Sequence, residues 1–456
     1  MAESTTKHLQ FFLFILFPIA LAASPADLAH TQCLKVSSSE FSSSIVSAID
    51  VVRQVAAIFS PFAKLLGDSR LATAISDCLD LLNSSADQLD WSLSAARNPT
   101  GKNNSTGDLT SDLRTWLSAA AVNPETCLDG FDGTNSIVKG LASAGIAQLT
   151  SEISELLSMV KSVSGQAAEF PSWVKPEDRK LLQGGGLAAD ATVAADGTGD
   201  FTTVMDAVAA APDNSMRRYV IYIKRGVYLE NVEIKKKKWN LVMIGDGIDS
   251  TIISGNRSFV DGWTTFRSAT FAVSGRGFIA RDITFENTAG PEKHQAVALR
   301  SDSDLSVFFR CRIRGYQDTL YTHTMRQFFR DCYISGTVDF IFGDATAVFQ
   351  NCTILAKKGL PNQKNTITAQ GRKDPNQPTG FSLQFCNISA DSDLLGSVNT
   401  TATYLGRPWK EYSRTVVMQS YISGAIRPEG WLEWSGDFAL NTLFYAEFMN
   451  YGAGAG

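Results

Sequence analysis

The stretch that decides the fold runs from Gly315 to Gly343. It reads GYQDTLY (315–321), RQFFRDCYIS (326–335) and GTVDFIFG (336–343). It holds Asp318 and Asp339, each seven residues after a cysteine, Cys311 and Cys332. The cysteines sit in matching frames, VFFRCRI and QFFRDCYI, so the aspartates occupy one place in successive repeats. VFQNCTI around Cys352 and SLQFCNIS around Cys386 continue the register, with cysteine spacings of 21, 20 and 34. The last spacing carries a polar insert from about Lys364 to Gly380. A period of about 20, made of short β-branched and aromatic runs between Gly, Asp and Asn, marks a solenoid whose unit is one coil of a parallel β-helix. Coils stack about 4.8 Å apart, which sets the two aspartates side by side.

Upstream, the strand period begins at Ala191, in ATVAADGTGDFTTVMDAV, with a short helix near Val204–Ala211. Short strands broken by Gly, Asn and Asp follow, in YVIYIKRGVYLENVEI, WNLVMIGDG and GFIARDITFENTAG. The run Lys235–Lys238 reads as a solvated turn. Residues 30–165 show the other period. Phe41, Ile45, Ile49, Val52, Ala56 and Phe59 fall at steps of three and four. Sets around Ile75–Leu93, Leu113–Ala120 and Leu149–Val160 do the same, which predicts an all-α, up-and-down four-helix bundle. Cys78 and Cys127 are placed for a disulfide, with Cys33 left over. Residues 166–189 mix Pro, Gly and charge without periodicity and read as a linker. Its Arg179-Lys180-Leu181-Leu182 reads as a processing site between two domains.

At 456 residues, two or three domains are expected. The formal charge of -5 argues against a polyanion binder held by bulk charge, nucleic acid included. Residues 1–23 read as a signal peptide: Lys7 and His8 precede the apolar run Phe11–Ala20, and Ala20-Leu21-Ala22 suits a signal peptidase. No other segment reads as a membrane span, and none is expected in a mature secreted form. Secretion permits disulfides. Sequons stand at Asn83, Asn103, Asn104, Asn256, Asn351, Asn387 and Asn399; Asn351 falls within a predicted strand, which argues against its use.

Two carboxylates at coil spacing cannot both ionise comfortably, so one is expected to keep its proton. An aspartate ladder capping strand ends is the plain alternative. Gln317 and Gln295 offer amide donors for an oxyanion, and Arg407 can pair with one aspartate. Tyr321, Phe342, Trp409 and Trp431 are candidate walls of a sugar groove. There is no Gly-x-Ser-x-Gly elbow. The four histidines are not paired at zinc-ligand spacing, and His294 and His323 read as polar packing. No metal or cofactor is expected.

The bundle stretches SDCLDLLNSSADQLDWSLSA and DLRTWLSAAAVNPETCLDGF resemble the pectin methylesterase inhibitor domain. GVYLENV, TTFRSATFAV, KHQAVALR, GYQDTLY, GTVDFIFG, TAQGRKDPNQPTG and YLGRPWKEYSRTVV, in this order over 190–456, resemble the plant pectin methylesterases. The resemblance implies a right-handed β-helix that hydrolyses methyl esters of cell-wall homogalacturonan to pectate and methanol. It implies Asp339 as nucleophile, Asp318 as proton donor and then general base, and Gln317 as transition-state stabiliser. Thr265, Gln295, Arg407 and Trp409 would contact substrate. It further implies secretion to the cell wall, a proteinaceous pectin methylesterase inhibitor as partner, and removal of the inhibitor-like pro-region by a subtilisin-like protease at Arg179–Leu182. Pairing among Cys311, Cys332, Cys352 and Cys386 stays open. The family continues beyond the point where TLFYAEFMNYGAGAG ends, so an uncapped last coil and reduced stability are expected. A wall-binding protein without activity and a glycoside-cleaving β-helix enzyme are the other readings.

Overall fold

A computed structural model describes residues 32–63, 69–98, 106, 108–134, 136–162, 170–182 and 188–455. The expected signal peptide and the sequons at Asn103 and Asn104 lie outside the described residues.

Four antiparallel helices, Ser38–Phe59, Ser69–Arg97, Leu109–Asp129 and Ile137–Met159, form the bundle. Ser37, Asp108 and Ser136 cap three of them by accepting from first-turn N–H groups, which satisfies donors the helices cannot pair internally. The apolar stripes meet in one core around Phe41, Ile75, Leu113 and Leu149, all fully buried. Cys78 and Cys127 form the expected disulfide between the second and third helices. Cys33 is a buried thiol. The run Ser38–Phe62 is long and apolar enough to cross a membrane, contrary to the sequence expectation. Its apolar residues serve the bundle core instead.

From Ala191 the chain winds into three parallel sheets of ten, seven and eight strands. The expected all-β parallel β-helix, right-handed as parallel crossovers are, is the architecture found. The hydrophobic runs are continuous because these strands are covered on both faces. Five successive coils repeat the same interior residue: Ile313, Ile334, Ile354, Ile388 and Ile422 pair in line in the eight-stranded sheet. Phe308, Phe329 and Phe349 stack at 4.8 and 4.9 Å in the ten-stranded sheet.

The turn between these two sheets recurs in the left-handed region, at Asp282, Arg310, Asp331 and Asn351. Asn351 therefore lies just past the strand Thr346–Gln350, exposed and bonded to Asp331, not within a strand as expected. Asn and Asp tolerate this conformation better than most residues. Cys311, Cys332, Cys352 and Cys386 follow these turns as buried thiols in one stack. The outermost strand of the ten-stranded sheet, Phe444–Phe448, leaves Phe444 and Phe448 exposed.

The described stretch of the linker, 170–182, is more ordered than its sequence predicts. Val174 is buried against Val220, Val242, Ile279, Val307 and Phe328 on the outer face of the ten-stranded sheet. Phe170 meets Phe328 edge-on at 5.9 Å. A helix over Pro176–Leu182 follows, with Asp178 paired to Arg218 at 2.7 Å. Arg179-Lys180-Leu181-Leu182, the expected processing site, falls in this helix.

Candidate active site

The seven-stranded sheet builds the site. Its strands Leu320–Thr322 and Ile341–Gly343 pair in parallel, Leu320 opposite Ile341 and Tyr321 opposite Phe342. Asp318 and Asp339 each stand two residues before their strand, so the register places them as neighbours. Both have positive φ, 60° and 49°, in a region costly for most side chains and common at functional sites.

Their environments differ. Arg407 donates to both oxygens of Asp339, from Nε to Oδ1 at 2.8 Å and from Nη2 to Oδ2 at 2.7 Å. Thr366 Oγ1 donates to Oδ1 at 2.6 Å and accepts the Asp339 N–H at 2.9 Å. Asp318 is buried beside this pair. Burial and the Asp339 charge push its carboxyl well above the usual range, against the pull of Arg407. One carboxylate pinned by a guanidinium thus stands beside one carboxylic acid inclined to keep its proton, an arrangement chemically suited to pairing a nucleophile with an acid.

Around them lies a cleft of about 370 Å³ lined by Gln295, Gln317, Thr265, Arg407 and Trp409. The structure brings Asp318, Asp339, Gln317, Gln295, Thr265, Arg407, Trp409, Tyr321 and Phe342 to one cleft, and of the candidate walls only Trp431 falls outside it. Tyr321 stacks on Phe342 at 4.2 Å, and Trp409 meets Phe342 edge-on at 5.9 Å. Trp431 is a correction: it packs on Tyr445 at 4.3 Å, away from the cleft lining. Trp434 takes that place, 4.4 Å beneath the Arg407 guanidinium. Phe266 also lines the cleft. The sequence reading missed Thr366, Phe266 and Trp434. TTFRS, one of the quoted stretches, contained Phe266.

The bundle closes the open side. Thr126, Asp129, Gly130 and Asp132, at the end of its third helix, line the same cleft. Thr126 Oγ1 lies 2.9 Å from His323 Nε2. His323 is buried, as polar packing requires, but at the junction of the two domains. Asp112 pairs with Arg326 at 2.7 Å, and Arg326 pairs with Asp304 at 2.6 Å. Trp116 Nε1 donates to Asp304 at 3.2 Å.

A pectinesterase family model matches residues 190–456, more than half of the chain. The chain belongs to the pectinesterase family. The plant invertase/pectin methylesterase inhibitor model matches residues 21–163. A pectinesterase/pectinesterase inhibitor of Prunus persica is 74% identical over 450 residues, 98% of this chain and 86% of the relative. A probable pectinesterase/pectinesterase inhibitor of Arabidopsis thaliana is 62% identical, over 98% of this chain and 89% of the relative. Among solved structures, the pectin methylesterase from carrot superposes with a TM-score of 0.59 at 59% identity, covering 60% of this chain and 86% of its own. A pectin methylesterase in complex with a hexasaccharide superposes with a TM-score of 0.51 at 27% identity, over 59% of this chain and 91% of its own. As a family member the chain is a carboxylic ester hydrolase joined to an inhibitor-like domain.

Proposed function

We propose that the chain hydrolyses methyl esters of homogalacturonan through an aspartyl acyl-enzyme, and that the observation carrying this is the unequal pair Asp318 and Asp339. Asp339, aimed by Arg407 and Thr366, attacks the ester carbonyl. Gln317 and Gln295 amides stabilise the tetrahedral oxyanion. Asp318 gives its proton to the departing methanol, then takes one from the water that cleaves the acyl-enzyme. Thr265 and Trp409 contact the sugar chain, with Tyr321, Phe342 and Trp434 as further apolar walls. Asp318 moves the proton in both steps, Asp339 supplies the attacking carboxylate, Arg407 balances its charge and the amides supply hydrogen bonds.

The bundle, 30–165, blocks the cleft it lines and keeps the chain latent until cleavage at Arg179–Leu182 by a subtilisin-like protease. The mature product acts in the cell wall after loss of residues 1–23. The test is methanol release from highly methylated pectin by the full chain, before and after cleavage in the linker. A rise on cleavage with unchanged polymer length supports the reading. Chain scission without methanol would replace it with glycosidic cleavage.

A further inference from the structure

Among the described residues six ion pairs cross between bundle and β-helix. In each, the carboxylate belongs to the bundle and the cation to the β-helix. Asp77 and Asp80 meet Arg267, Asp87 meets Lys236, and Asp112 meets Arg326. Glu125 meets Lys373 at 2.8 Å, and Asp129 meets Lys410 at 3.6 Å. The mild net charge thus hides a segregation: an acidic face seated on a basic one. Lys236, which the sequence assigned to a solvated turn, is part of that seat.

The five cations differ in what they keep when the bundle leaves. Arg326 retains Asp304, and Arg267 retains Glu233 at 3.1 Å. Lys236, Lys373 and Lys410 retain no ion-pair partner among the described residues of the β-helix. Each follows a strand of the seven-stranded sheet: Val232–Ile234, Asn365–Gln370 and Thr403–Gly406. Val232–Ile234 and Thr403–Gly406 are the two edges of that sheet, and the strands of Asp318 and Asp339 lie between them. At about 4.8 Å per strand, Lys236 stands about three strands to one side of Asp318, and at the opposite ends of the strands, since Asp318 precedes its strand and Lys236 follows its own. Lys373 and Lys410 stand one and two strands beyond Asp339. Lys410 also lies 5.0 Å over Trp409, a wall of the cleft.

A methyl-esterified uronate is neutral, whereas a hydrolysed one carries a carboxylate. We propose that Lys236, Lys373 and Lys410 form a track for the free carboxylates of already de-esterified homogalacturonan, and that the bundle occupies it by presenting carboxylates in their place. The inference rests on the esterase reading above and extends it to the flanking sugars. Lysine suits such a track, because a hydrated point charge on a flexible stem fits carboxylates whose spacing varies with the degree of hydrolysis. Bundle and de-esterified polymer then compete for the same three charges.

The test uses the full chain with Asp87→Asn, Glu125→Gln and Asp129→Asn together. Its affinity for decagalacturonate is compared with that of the unaltered full chain by tryptophan fluorescence. The track predicts binding about tenfold tighter at low salt, the combined effect of three partly exposed charges, with the gain shrinking at high salt. Adding Lys236→Ala, Lys373→Ala and Lys410→Ala must abolish the gain. No tightening, or a gain that survives loss of the lysines, overturns the proposal. Methanol release by the carboxylate variant after linker cleavage separates the two readings. Release without the affinity gain overturns the track alone. The affinity gain without release upholds the track and overturns the esterase reading.

Discussion

Arg407 holds Asp339 by two parallel hydrogen bonds, of 2.8 and 2.7 Å, from a coil two strands away in the same sheet. A planar fork on a carboxylate fixes direction as well as charge. The grip leaves Asp339 unable to rotate away from the cleft. Arg407→Lys keeps the charge and loses the fork. It is expected to lower kcat about a hundredfold, as loss of a positioning or charge-stabilising group does, with a smaller change in KM. Steady-state methanol release measures both.

Thr366 bonds Asp339 twice, through its hydroxyl as donor and as acceptor. Thr366→Val preserves shape and removes both bonds. A net loss of about 1.4 kcal/mol in transition-state stabilisation, a typical worth for a bond to a charged group, lowers kcat about tenfold. Thr366→Ser restores most of it. A valine variant with unchanged kcat would remove Thr366 from the site.

Asp318 carries a stability cost with a defined sign. Its folded pKa is raised by burial and by Asp339. The group therefore favours the folded state fully below its ordinary value of 3.8 and loses that contribution as pH rises towards the folded value. Asp318→Asn removes this titration. The variant is expected to be inactive yet to melt higher than the parent at pH 7, by about 2 °C per kcal/mol relieved, and to show no such advantage at pH 3. Thermal unfolding at the two pH values decides.

Arg326 stands between Asp112 of the bundle and Asp304 of the β-helix, and all three are buried. Arg326→Ala strands two carboxylates, so a loss of about 3–5 kcal/mol is expected. Asp112→Asn leaves Arg326 with Asp304 and should cost less. Denaturant unfolding of the full chain gives both values, and equal losses would contradict the ordering.

The repeat made the aspartate pair legible, because Cys311 and Cys332 report the coil register and Asp318 and Asp339 keep a fixed distance from them. Gln317 was legible because it directly precedes Asp318, and Gln295 only as an amide donor in the stretch HQAVALR, whose role came with the family resemblance. Thr366 was not, since it lies within the stretch read as a polar insert, where the cysteine spacing opens to 34. Trp434 and Trp431 could not be told apart, because the chain has left its repeat there and three residues decide which ring reaches Arg407. The strapped linker was missed because Phe170 and Val174 have no period, only an apolar outer sheet face to lie on. The role of Lys236 depends on a partner, Asp87, in another domain, and no local pattern carries that.

The aspartyl mechanism is tested most directly by methanol release from the linker-cleaved chain beside its Asp339→Ala variant. Release is expected to fall at least about a thousandfold in the variant, as for loss of a covalent nucleophile, while its folded structure by circular dichroism is unchanged. Release that persists in a folded Asp339→Ala protein would contradict the mechanism.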